Sequence, residues 1–418
     1  MNILQINYND IIGGRFNGRG LNEYFRCLGH DAQQCVWVKD GNDQYTWRLS
    51  QKLNLLIRAL CNIFVCLTEK VLSIQSLLYP WPILLFYDKR FHRSDIVHYH
   101  LLHNGYFSLL AMPKLTSLKP SIWTIHDPWL MTGHCVYPYS CKRWKDGCGE
   151  CPDLKTFMPM RFDNTRYMFE SKKNILEKSR VDIVVASRFM LEMAQKSPIF
   201  AKHRIHYIPF GVDTGIFKRM DSTSLRTKYN IGQNNLVISF RETDYEYKGL
   251  TYIKEVLHRL SLDDYAAPIT LMTVNQRGLL KEFKDKYQII ELGIVTDEAV
   301  MAEFYNCSDI FLMPSTAEAF GMMAIEAMAC GKPVVAFEGT SLPDVVYSPA
   351  GGICVPMKDS DALYAAIDRL LKDQAECKAI GNEAYRLSRI HYNFEDHAKK
   401  MLDLYEDVIA RHYEQAPA

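Results

Sequence analysis

The stretch IFLMPSTAEAFGMMAIEAMACGKPVVAF, residues 310–337, decides how the chain folds. Residues 310–313 are a short apolar run that stops at Pro314, and residues 333–336 are a second one. Between them lie a loop carrying Glu318 and a helical stretch, about 320–330, carrying Glu326. A strand, a loop, a helix and a strand in this order make a parallel βαβ unit, because parallel neighbours need a crossover connection.

The same alternation extends outward in both directions. After residue 212, strands are predicted at 236–240, 269–274 and 289–292, with helices at 249–260, 297–306 and 360–372. Before it, ILQI at 3–6 reads as a buried strand leading into a loop rich in glycine (Gly13, Gly14, Gly18, Gly20). A helix then runs to about Leu28 and ends at Gly29, and further strands are predicted at 35–38, 95–98, 121–125 and 181–186. The expected fold class is therefore α/β, with two Rossmann-like, doubly wound domains. They cover 1–212 and 213–393, and a last helix, 394–418, crosses back to the first.

In 310–337, Gly321 lets the backbone approach a ligand, and the helix beginning there presents free N–H groups and a partial positive charge. That suits a phosphate or diphosphate. Glu318 lies in the loop and Glu326 in the helix, where their oxygens can accept from the hydroxyls of a diol. Taken alone, the pair reads equally as a capping carboxylate and a solvated helix glutamate.

The wider string resolves this. Glu318 and Glu326 within EAFGMMAIEAMACGKPVV resemble the signature of glycosyltransferase family 4, retaining, nucleotide-sugar-dependent enzymes of the GT-B fold. Gly13–Gly14 resembles the family's N-terminal glycine loop, TIHD (124–127) the segment of its active-site histidine, and IPFGVDTGIF (208–217) a further segment, with Phe210 in place of an asparagine. SFRETDYEYKGL (239–250) resembles the Arg…Lys-Gly segment that grips the donor diphosphate, with six residues between Arg241 and Lys248, a longer spacing than the family's.

The resemblance implies a site in a cleft between the two domains. It implies His126, Glu318, Lys248 and Arg241 as catalytic groups. Gly13, Gly14, Phe320, Gly321, Met322, Met323 and Glu326 join Arg241, Lys248 and Glu318 around the donor. It further implies a nucleotide-diphosphate sugar as donor and no cofactor for catalysis. Asp359-Ser-Asp361 precedes a helix and reads as an N-cap rather than a metal site.

Ligands in open α/β sheets bind beyond the strand C-termini, which nominates His100, His103 and Asn104 for a saccharide or lipid-linked saccharide acceptor, and the place of Asp127 and Trp129 directly after His126 adds them to that side by the resemblance. The segment HDPWLMTGHCVYPYSCKRWKDGCGECPDL (126–154) resembles an insertion in family members that build bacterial surface polysaccharides. Its aromatics Trp129, Tyr137, Tyr139 and Trp144 are expected to stack on a sugar. Cys135, Cys141, Cys148 and Cys151 leave two readings open, structural zinc or reduced packing thiols.

Composition narrows the partners. Forty-nine Lys and Arg against 48 Asp and Glu leave +1, so no global field draws in nucleic acid. The N-terminus MNILQINYND lacks the basic and apolar blocks of a secretory signal, so a reducing cytosol is expected. Between 53 and 87 the chain is strongly apolar, with Asn54, Arg58 and Asn62 as a narrow polar stripe and Lys52, Lys70, Lys89, Arg90 and Arg93 around it. Either a core helix and a covering helix account for it, or an interfacial patch on the inner face of an anionic membrane does. A phosphorylase, a nucleotide-sugar epimerase or a silent sugar-nucleotide-binding subunit are the alternative functions.

Overall fold

The computed structural model describes residues 1–11, 16, 18–50, 55–103 and 105–414. The chain divides into two compact units, Met1–Ile208 with Ala398–Ala418, and Pro209–His397.

The first unit is built on seven parallel strands: β1 (Asn2–Asn9), β2 (Asp31–Val38), β3 (Thr46–Arg48), β4 (Ile96–Tyr99), β5 (Ser121–Thr124), β6 (Asp182–Val185) and β7 (Ile205–Tyr207). Their order is β3-β2-β1-β4-β5-β6-β7. The second unit has six: β8 (Leu236–Glu242), β9 (Ile269–Asn275), β10 (Gln288–Glu291), β11 (Ile310–Met313), β12 (Val334–Phe337) and β13 (Gly352–Val355). These are ordered β10-β9-β8-β11-β12-β13, again all parallel. In both sheets the winding reverses beside the first strand, between β1 and β4 and between β8 and β11, which opens a crevice at the strand C-termini.

The central strands are apolar on both faces because helices cover both. Ile238 and Phe240 of β8, Leu271 of β9 and Leu312 of β11 are at most 2% exposed. They pack with Ile253, Val256, Leu257 and Leu260, the inward stripe of helix Leu250–Leu260. Asp359 caps helix Ser360–Lys372 by accepting from the Ala362 amide at 2.9 Å.

Three strands, β3, β7 and β13, were not predicted, nor were helices Ser222–Lys228 and Gln374–His391. β3 and β7 are three-residue edge strands, and β13 begins on Gly352, so none shows the apolar run by which a strand is recognised.

The core-helix reading of the 53–87 region is corrected. Helix Leu55–Leu72 forms, but Leu56, Leu60, Ile63, Phe64 and Leu67 are each more than half exposed. Val65 and Thr68 are its buried residues among those described. Asn54 lies outside the described residues. Among the described residues no helix is long and apolar enough to cross a membrane.

Candidate functional sites

In the second unit, β8 ends at Arg241 and Glu242, and its neighbour β11 runs into the loop carrying Glu318. After β8 a short turn, Glu246–Lys248, leads to Gly249, whose φ of +79° starts helix Leu250–Leu260. A Cβ at Gly249 would collide with the Pro314 carbonyl oxygen, so the two crevice loops touch backbone to backbone there. Thr316 reinforces the contact by donating its amide to the Tyr247 carbonyl at 2.9 Å. Gly249→Ala therefore forces both a left-handed backbone on a residue with a Cβ and a displaced Pro314. The expected result is an unfolding midpoint several degrees lower together with weakened nucleotide binding. An unchanged midpoint would show that the contact gives way easily.

This packing brings Lys248 to Glu318, 70 residues further along. Lys248 Nζ donates to Glu318 Oε2 at 2.8 Å, and the two side chains are only 16% and 13% exposed. Gly321, at φ +104°, caps helix Met322–Ala329 without any side-chain hydrogen bond; its carbonyl takes the Ala324 amide at 3.0 Å, which leaves the Met322 and Met323 amides to face a ligand. Met322 and Met323 are half-buried there. Arg241 donates from Nη2 to Asn275 Oδ1 at 3.3 Å, while its Nε is buried with no hydrogen-bond partner among the described residues. A guanidinium edge left unpaired inside a protein is costly unless an anion completes it.

Glu326 points elsewhere. It is fully buried and accepts from the Tyr305 hydroxyl at 2.9 Å. Phe320, 5% exposed, packs edge-on against Phe210 at 5.1 Å. Arg241, Lys248, Glu318, Gly321 and the amides after it thus share one crevice, with Glu326 and Phe320 in the packing behind.

In the first unit, the site is a chain of hydrogen bonds at the β1/β4/β5 ends. His126 Nε2 and His100 Nδ1 are 3.0 Å apart, and His100 Nε2 is 2.6 Å from Gln5 Oε1. Gln5 Nε2 donates to the Tyr405 hydroxyl at 3.3 Å. That hydroxyl lies 2.7 Å from His98 Nδ1, and His98 Nε2 lies 2.7 Å from Thr124 Oγ1. The Gln5 oxygen can only accept, so His100 donates from Nε2 and accepts at Nδ1, and His126 donates from Nε2. Tyr405, already accepting from Gln5, donates to His98. Burial is the main reason that the His126 pKa is held down to about 4, with Asp127 pulling only weakly the other way. At neutral pH the imidazole is uncharged.

Asp127 Oδ2 accepts from His103 Nε2 at 2.8 Å, and Oδ1 accepts from the Trp129 amide at 2.9 Å. Burial opposes the charge, but His103 and that amide hold the carboxyl below its usual range. Trp129 is 1% exposed, with His103 at 4.9 Å and Lys172 Nζ at 3.7 Å from its ring centre. Its ring is occupied, so the sugar stacking expected of Trp129 is corrected to a packing role; Trp144, 6% exposed, is buried likewise. Gly13, Gly14 and Asn104 lie outside the described residues.

Cys135, Cys141, Cys148 and Cys151 are free thiols lining one cavity of about 20 Å³. Burial pushes the Cys135 and Cys148 thiols up to about 12 and about 11. Beside them Lys172 is fully buried, donating to the Trp129 and Thr132 carbonyls at 2.8 and 2.9 Å, and burial brings its pKa down to about 7. Among the described residues no group of three or more His, Cys, Asp and Glu is placed to hold a metal ion as it stands.

Sequence reading missed Gln5, Tyr405, Asn275, Tyr305 and Lys172. Asn275 had a signal, being a polar residue at the end of an apolar strand, and it adopts φ +92°, unusual for a residue with a side chain. The others are met only in space.

Residues 221–387 match the family model described as Glycosyl transferases group 1. A putative colanic acid biosynthesis glycosyl transferase, WcaC, of Escherichia coli K12 is 24% identical over 268 residues, 61% of this chain and 63% of that one. An MMP alpha-(1->4)-mannosyltransferase of Mycolicibacterium hassiacum is 27% identical over 219 residues, 50% and 49% of the two chains. The chain thus spans less than two thirds of either relative. Sucrose-phosphate synthase from Thermosynechococcus elongatus superposes with a TM-score of 0.71 at 20% identity, over 98% of this chain and 99% of that one. WaaG, a glycosyltransferase involved in lipopolysaccharide biosynthesis, does so at 0.65 and 13%, over 96% and 99%. Anabaena HepE in complex with UDP and glucose gives 0.64 at 15%, over 97% and 99%. The fold is GT-B, two Rossmann-like parallel-sheet units.

Proposed function

From a chain that carries a group 1 glycosyltransferase domain at residues 221–387, we propose a retaining glycosyltransferase of the family 4 type. It moves a sugar from a nucleoside-diphosphate sugar to a saccharide acceptor, a lipid-linked one, in the assembly of a bacterial surface polysaccharide. A named relative supports this: WcaC is a putative colanic acid biosynthesis glycosyl transferase.

The observation that carries the reading is the Lys248–Glu318 pair beside the open helix start at Gly321, with the unpaired Arg241 Nε near it. Breaking the bond between C1 of the sugar and the phosphate oxygen leaves its electron pair on the diphosphate. Lys248, Arg241 and the Met322 and Met323 amides stabilise that charge. Glu318 gives up part of its bond to Lys248 and accepts from sugar hydroxyls. An acceptor hydroxyl oxygen bonds to C1 on the face the phosphate leaves, and its proton passes to the departing phosphate oxygen. Neutral His126, its Nε2 proton given to His100, meets the sugars as a hydrogen-bond acceptor at Nδ1 rather than as a charge. Positive charge from the protein supplies what a divalent ion supplies in metal-dependent transferases, so no cofactor is invoked.

A panel of UDP- and GDP-sugars tests the reading. One nucleotide should raise the unfolding midpoint, since ligand at 100 times Kd stabilises by about 2.7 kcal/mol. The matching sugar nucleotide should release nucleoside diphosphate faster with acceptor present. A midpoint shift without release from any donor would leave a silent binding subunit instead.

A further inference from the structure

We propose that helix Leu55–Leu72 and the trough beside it form a docking face for an anionic lipid bilayer. In a soluble domain a surface helix turns its polar side to water. This one does the reverse. Leu56, Leu60, Ile63, Leu67 and Val71 recur three and four residues apart along one side, and their exposures run from 40% to 65%. Phe64, at 51%, lies on the same side. The buried Val65 and Thr68 hold the opposite side to the domain.

The face continues beyond the helix. A trough of about 750 Å³ runs between Leu60, Phe64, Tyr79, Ile83, Phe86 and Leu110. Ile83 and Leu110 of its lining stand exposed, at 53% and 55%. Contiguous apolar surface on this scale marks a binding face rather than scattered surface residues.

Charge selects the occupant. Residues 52–119 hold eight Lys and Arg against three Asp and Glu, a local +5 in a chain of +1. Lys70, Lys89, Arg93 and Lys114 are exposed around the apolar surface. The acids already have partners in the protein: Glu69 accepts from the Tyr79 hydroxyl, Asp88 pairs with Arg90 at 2.8 Å, and Asp95 accepts from the Asn2 amide at 2.7 Å. An apolar face rimmed by unbalanced cations fits acyl chains beneath anionic headgroups. An apolar protein surface would gain nothing from the rim.

The inference deepens the proposed use of a lipid-linked acceptor, which such docking would bring to the enzyme. Its test does not depend on catalysis. The full chain should co-sediment with vesicles of phosphatidylcholine and phosphatidylglycerol at least about tenfold better than with phosphatidylcholine alone, less so as salt rises. Leu60→Glu with Phe64→Glu should cut that binding at least about tenfold, since it places two charges where apolar side chains must enter the lipid. Both positions are exposed, so the variant should keep its unfolding midpoint and its nucleotide release with a water-soluble acceptor. Equal sedimentation of variant and parent, or none of either, overturns the proposal. So does self-association by light scattering that the double variant abolishes, since the occupant is then a second copy. Vesicle binding without nucleotide release would leave the docking face standing and sink the transferase reading.

Discussion

Lys248→Ala is expected to lower the turnover of donor by about 100- to 1,000-fold, the usual loss when one preorganised group facing developing negative charge is removed. Lys248 is set for that task by more than its charge. The turn that holds it ends at Gly249, which is pressed onto Pro314, and its Nζ sits 2.8 Å from Glu318. Little reorganisation is left to perform when the leaving diphosphate forms. Glu318→Ala should also lower turnover, by a comparable factor, because it removes the acceptor for sugar hydroxyls and releases Lys248 from its position. The two losses should not add in the double variant, since each change already breaks the same contact. Rates must be read well below the unfolding midpoint, because either single change leaves a largely buried partner without its counter-charge. Single variants with kcat/KM within about twofold of the parent would remove the pair from the reaction.

The second large effect concerns His126. His126→Ala should cost about 100-fold in turnover, as the loss of one preorganised hydrogen-bonding group at the reacting centre does. Gln5→Leu should cost less, about tenfold, because Gln5 acts at one remove: it makes His100 donate from Nε2, so that Nδ1 accepts from His126. A purely structural role would not alter the pH profile, whereas this one does. With the His126 pKa near 4, the parent should show a flat acid side down to about pH 5. Gln5→Glu places a negative charge beside His100, raises the pKa of the histidine pair and should move the acid limb upward. An unmoved limb in Gln5→Glu would show that the chain does not reach the chemistry.

The same histidine sets a pH dependence of stability. Its folded pKa, about 4, lies below the unfolded value of 6.5, so between these the unfolded chain binds more protons. That contribution is full above about pH 6.5 and is lost as pH falls through 4. Asp127, also shifted downward, acts in the same direction. The acid-induced drop in unfolding midpoint should therefore be smaller in His126→Gln than in the parent.

Much of the donor crevice was legible in 310–337 because its elements are local. Proline stops a strand, glycine opens a helix, and the two glutamates fall at readable places on either side. What was not legible is which way each carboxylate turns. Glu318 meets Lys248 only because Gly249 packs on Pro314, and Glu326 turns to Tyr305, on a helix from a different part of the sheet. His100 and His126 could be proposed from their strand ends. Gln5 and Tyr405 could not, because they are 400 residues apart and meet only when the last helix lies on the first unit.

The amino-acid sequence by itself determined two parallel α/β units and a phosphate-ready loop in the second, because period, Gly and Pro act within a few residues of chain. Tertiary structure alone decided the tautomers along the histidine chain, the partners of the two glutamates and the packing of Trp129. It also decided the fate of the apolar stretch after residue 53. Hydrophobicity records only that a side chain avoids water, not what covers it. Once Val65 and Thr68 took the inner side of helix Leu55–Leu72, its remaining apolar side chains had nowhere to go but outward.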